Sequence, residues 1–440
     1  MRLALGILLL AAPLAAADGP LELSLKRAVA IALTQEGNAN VRLADESLKQ
    51  AQDRSREARA ALLPNVDGAV SYSSHTVNLA AEGLDKISLP VPGFQFPTFV
   101  GPFSVLDARL SGSQTVLDLS VIRRYQASKI GVSASRADVE TTAEQVAGQV
   151  ARAYLAAAKA DADVDAAEAN VKLSEAVLQQ AANQKEAGTG TGIEITRAKV
   201  QLANDRQRRL EAETARRAAY LRLLRAMGAR LDTDLHLADK LAYTPTGAVT
   251  LQQAQTEAFQ TRPDYQAQQE RERTARYSAS ATSMERLPSV AAFGDYGSSG
   301  SGLESTLPTR TYGISVRVPV FDGGRRDARR EESASQYRAE QVRTNDLKEQ
   351  ISLDVRLALD ELNSAQDQVA VANEGLDLAQ NELAQARRRY DAGITNSIEV
   401  TDAQTRLERA RDNQNTALYE YNVARIDLAQ AMGKVRSTVQ

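Results

Sequence analysis

The sequence predicts a mainly α-helical protein with a small β part, built as a tandem duplication of long coiled-coil helices with four short strands. Three observations carry that reading. First, Ala187-Gly188 followed by Ile193-Glu194-Ile195-Thr196 recurs as Ala392-Gly393 followed by Ile398-Glu399-Val400-Thr401. The offset of 205 residues holds to the closing Ala226-Met227-Gly228 and Ala431-Met432-Gly433. Self-similarity of this kind says that one helix–turn–helix unit is used twice. Second, apolar residues recur every seven positions over long stretches, which is coiled-coil patterning. Third, four segments alternate apolar and polar residues with a period of two, the mark of a sheet whose two faces meet different surroundings.

From the N-terminus, Arg2 precedes an apolar run from Leu3 to Leu14, and Ala15-Ala16-Ala17 offers small residues for cleavage. This reads as a signal peptide over 1–17, too short for a membrane span. The first structural repeat is expected over 18–237 and the second over 238–440. In the first, helices are expected over Leu25–Leu33 and Val41–Leu62, ending before Pro64; in the second, over Leu251–Phe259 and Asp264–Arg286, ending before Pro288. Proline cannot continue a helix and pushes its predecessor towards extended geometry.

Strands are expected after both prolines, at about 66–76 and 289–298, with returning strands at about 104–117 and 311–321. Tyr312, Ile314, Val316, Val318 and Val320 share one face of the last. The loop of the first pair is the longer and carries Pro90, Pro92, Phe94, Phe96, Pro97 and Phe99. Long helices follow, over about 121–187 and 325–391, each continued after a break by 193–228 and 397–433. In the second half the seams are Val355, Leu362, Val369, Leu376, Leu383 and Tyr390, with Ile351, Ala358, Ala365, Ala372, Ala379 and Ala386 beside them. At ~1.5 Å per residue the first long helix spans about 100 Å if unbroken.

Composition excludes several chemistries. There is no cysteine, so disulfides, thiolate chemistry and cysteine–zinc sites are impossible. The two histidines, His75 and His236, stand far apart and make a poor metal site. The 440 residues carry 53 basic and 56 acidic side chains, a net charge of −3 that argues against nucleic acid as a partner. The run Gly188-Thr189-Gly190-Thr191-Gly192 superficially suggests a phosphate loop, but no strand precedes it and no Gly-Lys-Ser/Thr follows. No nucleophile–base pair or catalytic dyad stands out, so no enzyme activity and no cofactor are expected. Basic groups such as Arg325-Arg326, Arg329-Arg330 and Arg387 to Arg389 read as solvated helix faces.

The parts constrain one another. Strands of about ten residues suit a tilted crossing of a bilayer, yet four cannot close a membrane barrel, which needs about eight. Either the sheet lies outside a membrane, or several chains contribute to it; two would supply eight strands, and three would supply twelve. A periplasmic coiled-coil scaffold or adaptor-like protein would also explain the heptads, but it leaves the strands unused.

The ordered set of elements, the run Val318-Pro319-Val320-Phe321-Asp322-Gly323-Gly324, the two Ala-Gly…Ile-Glu turns and the Met-Gly ends together resemble the TolC-type outer membrane factors, the outer membrane efflux proteins of Gram-negative bacteria. The resemblance covers about Leu21 to Gly433. It implies a homotrimer sharing one 12-stranded β-barrel in the outer membrane, among its lipids, and one long α-helical barrel in the periplasm. It implies a passive exit duct for efflux or type I secretion, served by a periplasmic adaptor protein and an inner-membrane transporter of RND, ABC or MFS type. It places a carboxylate constriction at Glu399 and Asp402, which lie on one helix face; acidic residues in a first helical turn also suit the helix dipole. It matches Tyr390 to a gate tyrosine and Glu194 to its acid, while Thr395 stands where related proteins have an arginine. Tyr390 also continues the Val355 heptad, which gives it a packing role of its own. The turns bounded by Gly188 and Gly192, and by Gly393 and Ser397, would meet the adaptor.

Overall fold

The computed structural model describes residues 21–34, 36–83, 92, 97–247 and 249–439. The expected signal peptide and most of the Pro/Phe-rich loop, including Pro90, Phe94 and Phe96, lie outside the described residues. The order of elements is β1 (Leu21–Leu23), α1 (Leu25–Ala32), α2 (Ala39–Ala60), β2 (Asn65–Asn78), β3 (Phe99–Leu117), α3 (Leu119–Glu186), α4 (Gly192–Met227) and β4 (Leu235–Leu237). It continues with α5 (Leu251–Thr261), α6 (Pro263–Met284), β5 (Ser289–Gly300), β6 (Leu307–Arg317), α7 (Arg325–Asp391), α8 (Ser397–Ala431) and α9 (Val435–Val439). The protein is thus mainly α with a small β component. None of the described helices is long and apolar enough to cross a membrane.

Two compact units divide the chain, one made of 46–138 and 264–347, the other of residues up to 45, 139–263 and 348–440. The first holds a four-stranded antiparallel sheet in the order β2-β3-β5-β6. Its register runs Val66 to Gly112 to Gly294 to Tyr312 across the strands. Because side chains alternate, one face collects Val66, Val70, Tyr72, Leu110, Tyr296, Tyr312, Ile314 and Val316. Val70, Tyr72, Tyr312 and Ile314 are 76, 69, 81 and 74% exposed, so nothing among the described residues covers this face. The outer ladders of β2 and β6 have no strand beside them among the described residues.

Both helices that lead into this sheet stop ahead of their prolines. Each ends two residues earlier than the sequence suggests, because its last turn tightens. Leu62 and Leu63 donate to the carbonyls of Arg59 and Ala60 at 2.9 Å, and Leu287 donates to that of Met284 at 3.0 Å. The last strand lies at 307–317 rather than 311–321. Pro319 has no N–H to extend the ladder, so Val318 to Phe321 run on unpaired.

The second unit packs around two apolar clusters. One gathers α1, α3, α4, α8 and α9 around a two-stranded parallel sheet of β1 and β4, with Leu23, Val150, Tyr154, Leu223, Met227 and Val435 buried. Tyr154 is held there by polar contacts. Its hydroxyl donates to the Leu23 carbonyl at 2.9 Å and meets Asp239 Oδ2 at 3.0 Å, while that oxygen also accepts from the Leu25 N–H at 2.8 Å. Burial pushes the Tyr154 phenol upward. The other cluster lies at the far ends of α3, α4, α7 and α8 and includes Val177, Ala198, Leu383, Tyr390, Val400 and Leu407. Along α7 the heptad residues Val355, Leu362, Val369, Leu376, Leu383 and Tyr390 are all buried. Each large apolar side chain so covered contributes roughly 1.5–3 kcal/mol relative to exposure.

Candidate pore-end site at the helix turns

The two helix turns are built alike. Gly188 and Gly393 adopt φ of 76° and 70°, the left-handed region where a side chain is strained. Gly188 N–H donates to the Lys185 carbonyl and Thr189 N–H to that of Gln184, at 3.0 and 2.9 Å. Gly393 N–H and Ile394 N–H make the same pair of bonds, to Tyr390 and Arg389, at 3.0 and 2.9 Å. These close the carbonyl ends of α3 and α7 in the paired pattern usual for a glycine-terminated helix. Gly188, Gly192 and Gly393 are exposed, whereas Ser397 is buried.

The acids of the two turns then diverge. Glu194 folds back on its own helix start, where its Oε2 accepts from the Thr191 N–H at 3.1 Å. In the second turn Asn396 takes the capping position, its Oδ1 accepting from the Ile398 N–H at 3.0 Å. That leaves Glu399 for other partners. Arg389 Nη1 donates to Glu399 Oε1 at 2.8 Å, and Thr395 Oγ1 donates to Glu399 Oε2. Asp402, one turn further along α8, is exposed and makes no polar contact among the described residues. The pair therefore presents two carboxylates against one guanidinium.

Tyr390 is 3% exposed inside the apolar cluster, and its hydroxyl has no hydrogen-bond partner among the described residues. The structure does not join Tyr390 to Glu194 by a hydrogen bond. Burial raises the Tyr390 phenol above its usual range, and the charges of Glu194 and Asp391 push it the same way. Ser397 Oγ and Gln404 Nε2, at seam positions of α8, are also buried without hydrogen-bond partners among the described residues.

Sequence reasoning missed the residues that tie the two hairpins together. Gln180 on α3 donates to Asp391 at the end of α7. Arg208 on α4 donates to Glu408 on α8. Arg411 Nη1 reaches Asn170 Oδ1 at 3.0 Å, and Asn415 Nδ2 reaches Asp163 Oδ1 at 3.1 Å. Arg389 belongs to a basic run that looks like an ordinary solvated face. Its partner lies ten residues on, across a turn, where the spacing rule for one helix cannot reveal it. No group of three or more His, Asp or Glu side chains among the described residues is arranged to hold a metal.

Comparison with known proteins agrees with this architecture. The family model for the outer membrane efflux protein matches residues 30–229 and 254–434. The pyoverdine export outer membrane protein OpmQ of Pseudomonas putida is 25% identical over 421 residues, covering 92% of this chain and 84% of that one. The alkaline protease secretion protein AprF of Pseudomonas aeruginosa is 23% identical over 323 residues, 72% of this chain and 67% of that one. Among solved structures, the Campylobacter jejuni CmeC outer membrane channel superposes with a TM-score of 0.77 at 19% identity, over 93% of this chain and 85% of its own. The Vibrio cholerae outer membrane protein VceC gives 0.77 at 16% identity, over 93% and 96%. With most of its length matched by one family model, the chain belongs to the outer membrane efflux protein family.

Proposed function

We propose that three copies of this chain build one conduit, each adding four strands to a 12-stranded barrel and its long helices to a shared periplasmic barrel. As a family member the protein is an outer-membrane channel, an exit duct for efflux or secretion and not an enzyme, with its helical part in the periplasm. The observation that carries the threefold reading is the sheet. It has one apolar face that the described residues leave bare and two outer ladders with no strand beside them among those residues. In a bilayer every backbone group must be paired, so an open four-stranded sheet needs further strands. Twelve strands leave a bore, whereas eight are filled by their own side chains. On this reading each chain consists of two structural repeats in tandem, 18–237 and 238–440, following a signal peptide over 1–17.

The turns at Gly188–Gly192 and Gly393–Ser397 then lie at the periplasmic mouth and meet a periplasmic adaptor protein, which links the duct to an inner-membrane transporter. Glu399 and Asp402, brought together threefold, form a cation-preferring constriction. Like charges gathered at a narrow opening raise the local cation concentration. Tyr390 and Glu194 stand at the same end and serve its closure, with Thr395 and Arg389 engaging Glu399. Pyoverdine export and alkaline protease secretion, the roles in the names of two relatives, mark the range of cargo for this duct.

Planar-bilayer recording of the purified protein tests the assignment. Wild-type channels are expected to prefer cations, and Glu399→Ala and Asp402→Ala to weaken that preference. Unchanged selectivity in both variants removes the constriction from these residues.

A further inference from the structure

The sheet carries nearly all its charge on one face. Asp67, Asp107, Arg109, Asp295 and Arg317 alternate with the apolar residues, and only Arg310 shares the apolar side. In an outer-membrane protein the apolar face meets lipid, so the charged face lines the interior. Three of these charges are gathered at one point. Arg109 Nη1 donates to Asp295 on β5, and Nη2 donates to Asp107 Oδ2 at 3.2 Å and to Thr309 Oγ1 on β6 at 3.1 Å. One side chain thus links three strands.

The backbone makes room for it. Arg109 and Thr309 both stand opposite Gly297 in the row of paired residues. A Cβ at Gly297 would lie 2.6 Å from the Ala108 carbonyl oxygen and 3.0 Å from Arg109 Cβ, so a side chain there would push β3 and β5 apart at the row that carries Arg109. The cluster is not neutral. One guanidinium faces two carboxylates, and Asp107 Oδ1 is buried with no hydrogen-bond partner among the described residues. Asp107 and Asp295 are about three-quarters covered, which limits screening by water and salt.

We propose that the Arg109–Asp107–Asp295 cluster is a second charge filter of the duct, inside its β-barrel part and separate from Glu399 and Asp402. It rests on the trimeric-barrel reading above. Each chain contributes one uncompensated negative charge, and three chains surround the bore with three such clusters. Low-dielectric walls focus that field into the passage and favour cationic over anionic cargo. Arg109 sets the strength of the filter by neutralising one of the two acids.

The test is the reversal potential of full-length channels in planar bilayers under a KCl gradient at low ionic strength, where the screening length approaches ~30 Å. Asp107→Asn keeps the shape of the cluster and removes its excess charge; the cation-to-anion permeability ratio is expected to fall about twofold. Arg109→Gln is expected to raise it by a similar factor. Opposite shifts in the two variants support the filter. Conducting variants that both keep the wild-type reversal potential overturn it and leave Arg109 a structural clamp. Should Arg109→Gln fail to assemble, the Asp107→Asn shift alone decides. A wild-type protein that forms no channels overturns the trimeric reading and the filter with it.

Discussion

The two helix turns share a sequence pattern but not an environment. At the second, Leu383, Ala386, Tyr390, Ser397, Val400, Ala403, Gln404 and Leu407 form a continuous buried stripe. At the first, only Ala181, Ala198 and Leu202 of the corresponding positions are buried; Lys185 stands where Tyr390 does, and is exposed. The acids differ in the same sense, since Glu194 caps its own helix while Glu399 reaches across the turn to Arg389. A repeated sequence therefore fixes the turn itself through Gly188 and Gly393, while a few substituted side chains decide which hairpin is packed and which is left open. The packed turn is the one that carries the proposed constriction.

The strongest way to break this contrast is to cut the same side chain from both hairpins. Leu383→Ala is expected to cost ~2–5 kcal/mol, the range for a buried leucine. Leu178→Ala, at the matching and only half-buried position, is expected to cost less than half as much. Thermal or urea unfolding of the two variants reads the difference, and equal losses would erase the distinction.

Charge at the turns gives the next effect. Arg389→Ala leaves Glu399 without its ion pair and is expected to increase cation preference in bilayers, while Gln184→Ala, at the matching place, leaves it unchanged. The stability cost of Arg389→Ala is expected to stay within about 1 kcal/mol, because the pair is substantially exposed. Glu194→Ala is expected to lose about 0.5–1 kcal/mol from its capping bond, with no change in selectivity.

The smallest effect concerns pH. Burial favours the neutral Tyr390 phenol in the folded protein, so its folded pKa is raised. The unfolded chain ionises first, near pH 10, and binds fewer protons above that point. Tyr390 therefore contributes fully below about pH 10, and its contribution is lost as pH rises towards the folded value. Tyr390→Phe is expected to flatten the alkaline limb of a melting-temperature profile without lowering stability at neutral pH. A profile as steep as wild type would place the phenol in water.

Much of this architecture is legible in the residues because it depends on short-range repetition. The heptad from Val355 to Tyr390 names a buried seam that the structure fills at every one of those positions. Alternation in Tyr312, Ile314 and Val316 names one face of β6 before any partner strand is known. The strand end is harder to read. The alternation continues to Val320, but the ladder stops at Arg317, because pairing follows N–H donors rather than hydrophobicity. The polar sites are harder still. Arg109 and Thr309 lie 200 residues apart and meet only through the register of β3, β5 and β6. Likewise, Glu194 and Glu399 have similar neighbours in sequence, yet Asn396 caps the second helix and Arg389 stands where the first turn has Gln184, so the second acid pairs with Arg389.

The central claim is that one chain is a third of a wall. Native mass spectrometry of the protein extracted from outer membranes in mild detergent tests it most directly. The account predicts a particle of three chains that separates into single chains on heating. A particle of one chain, or of two, would contradict it.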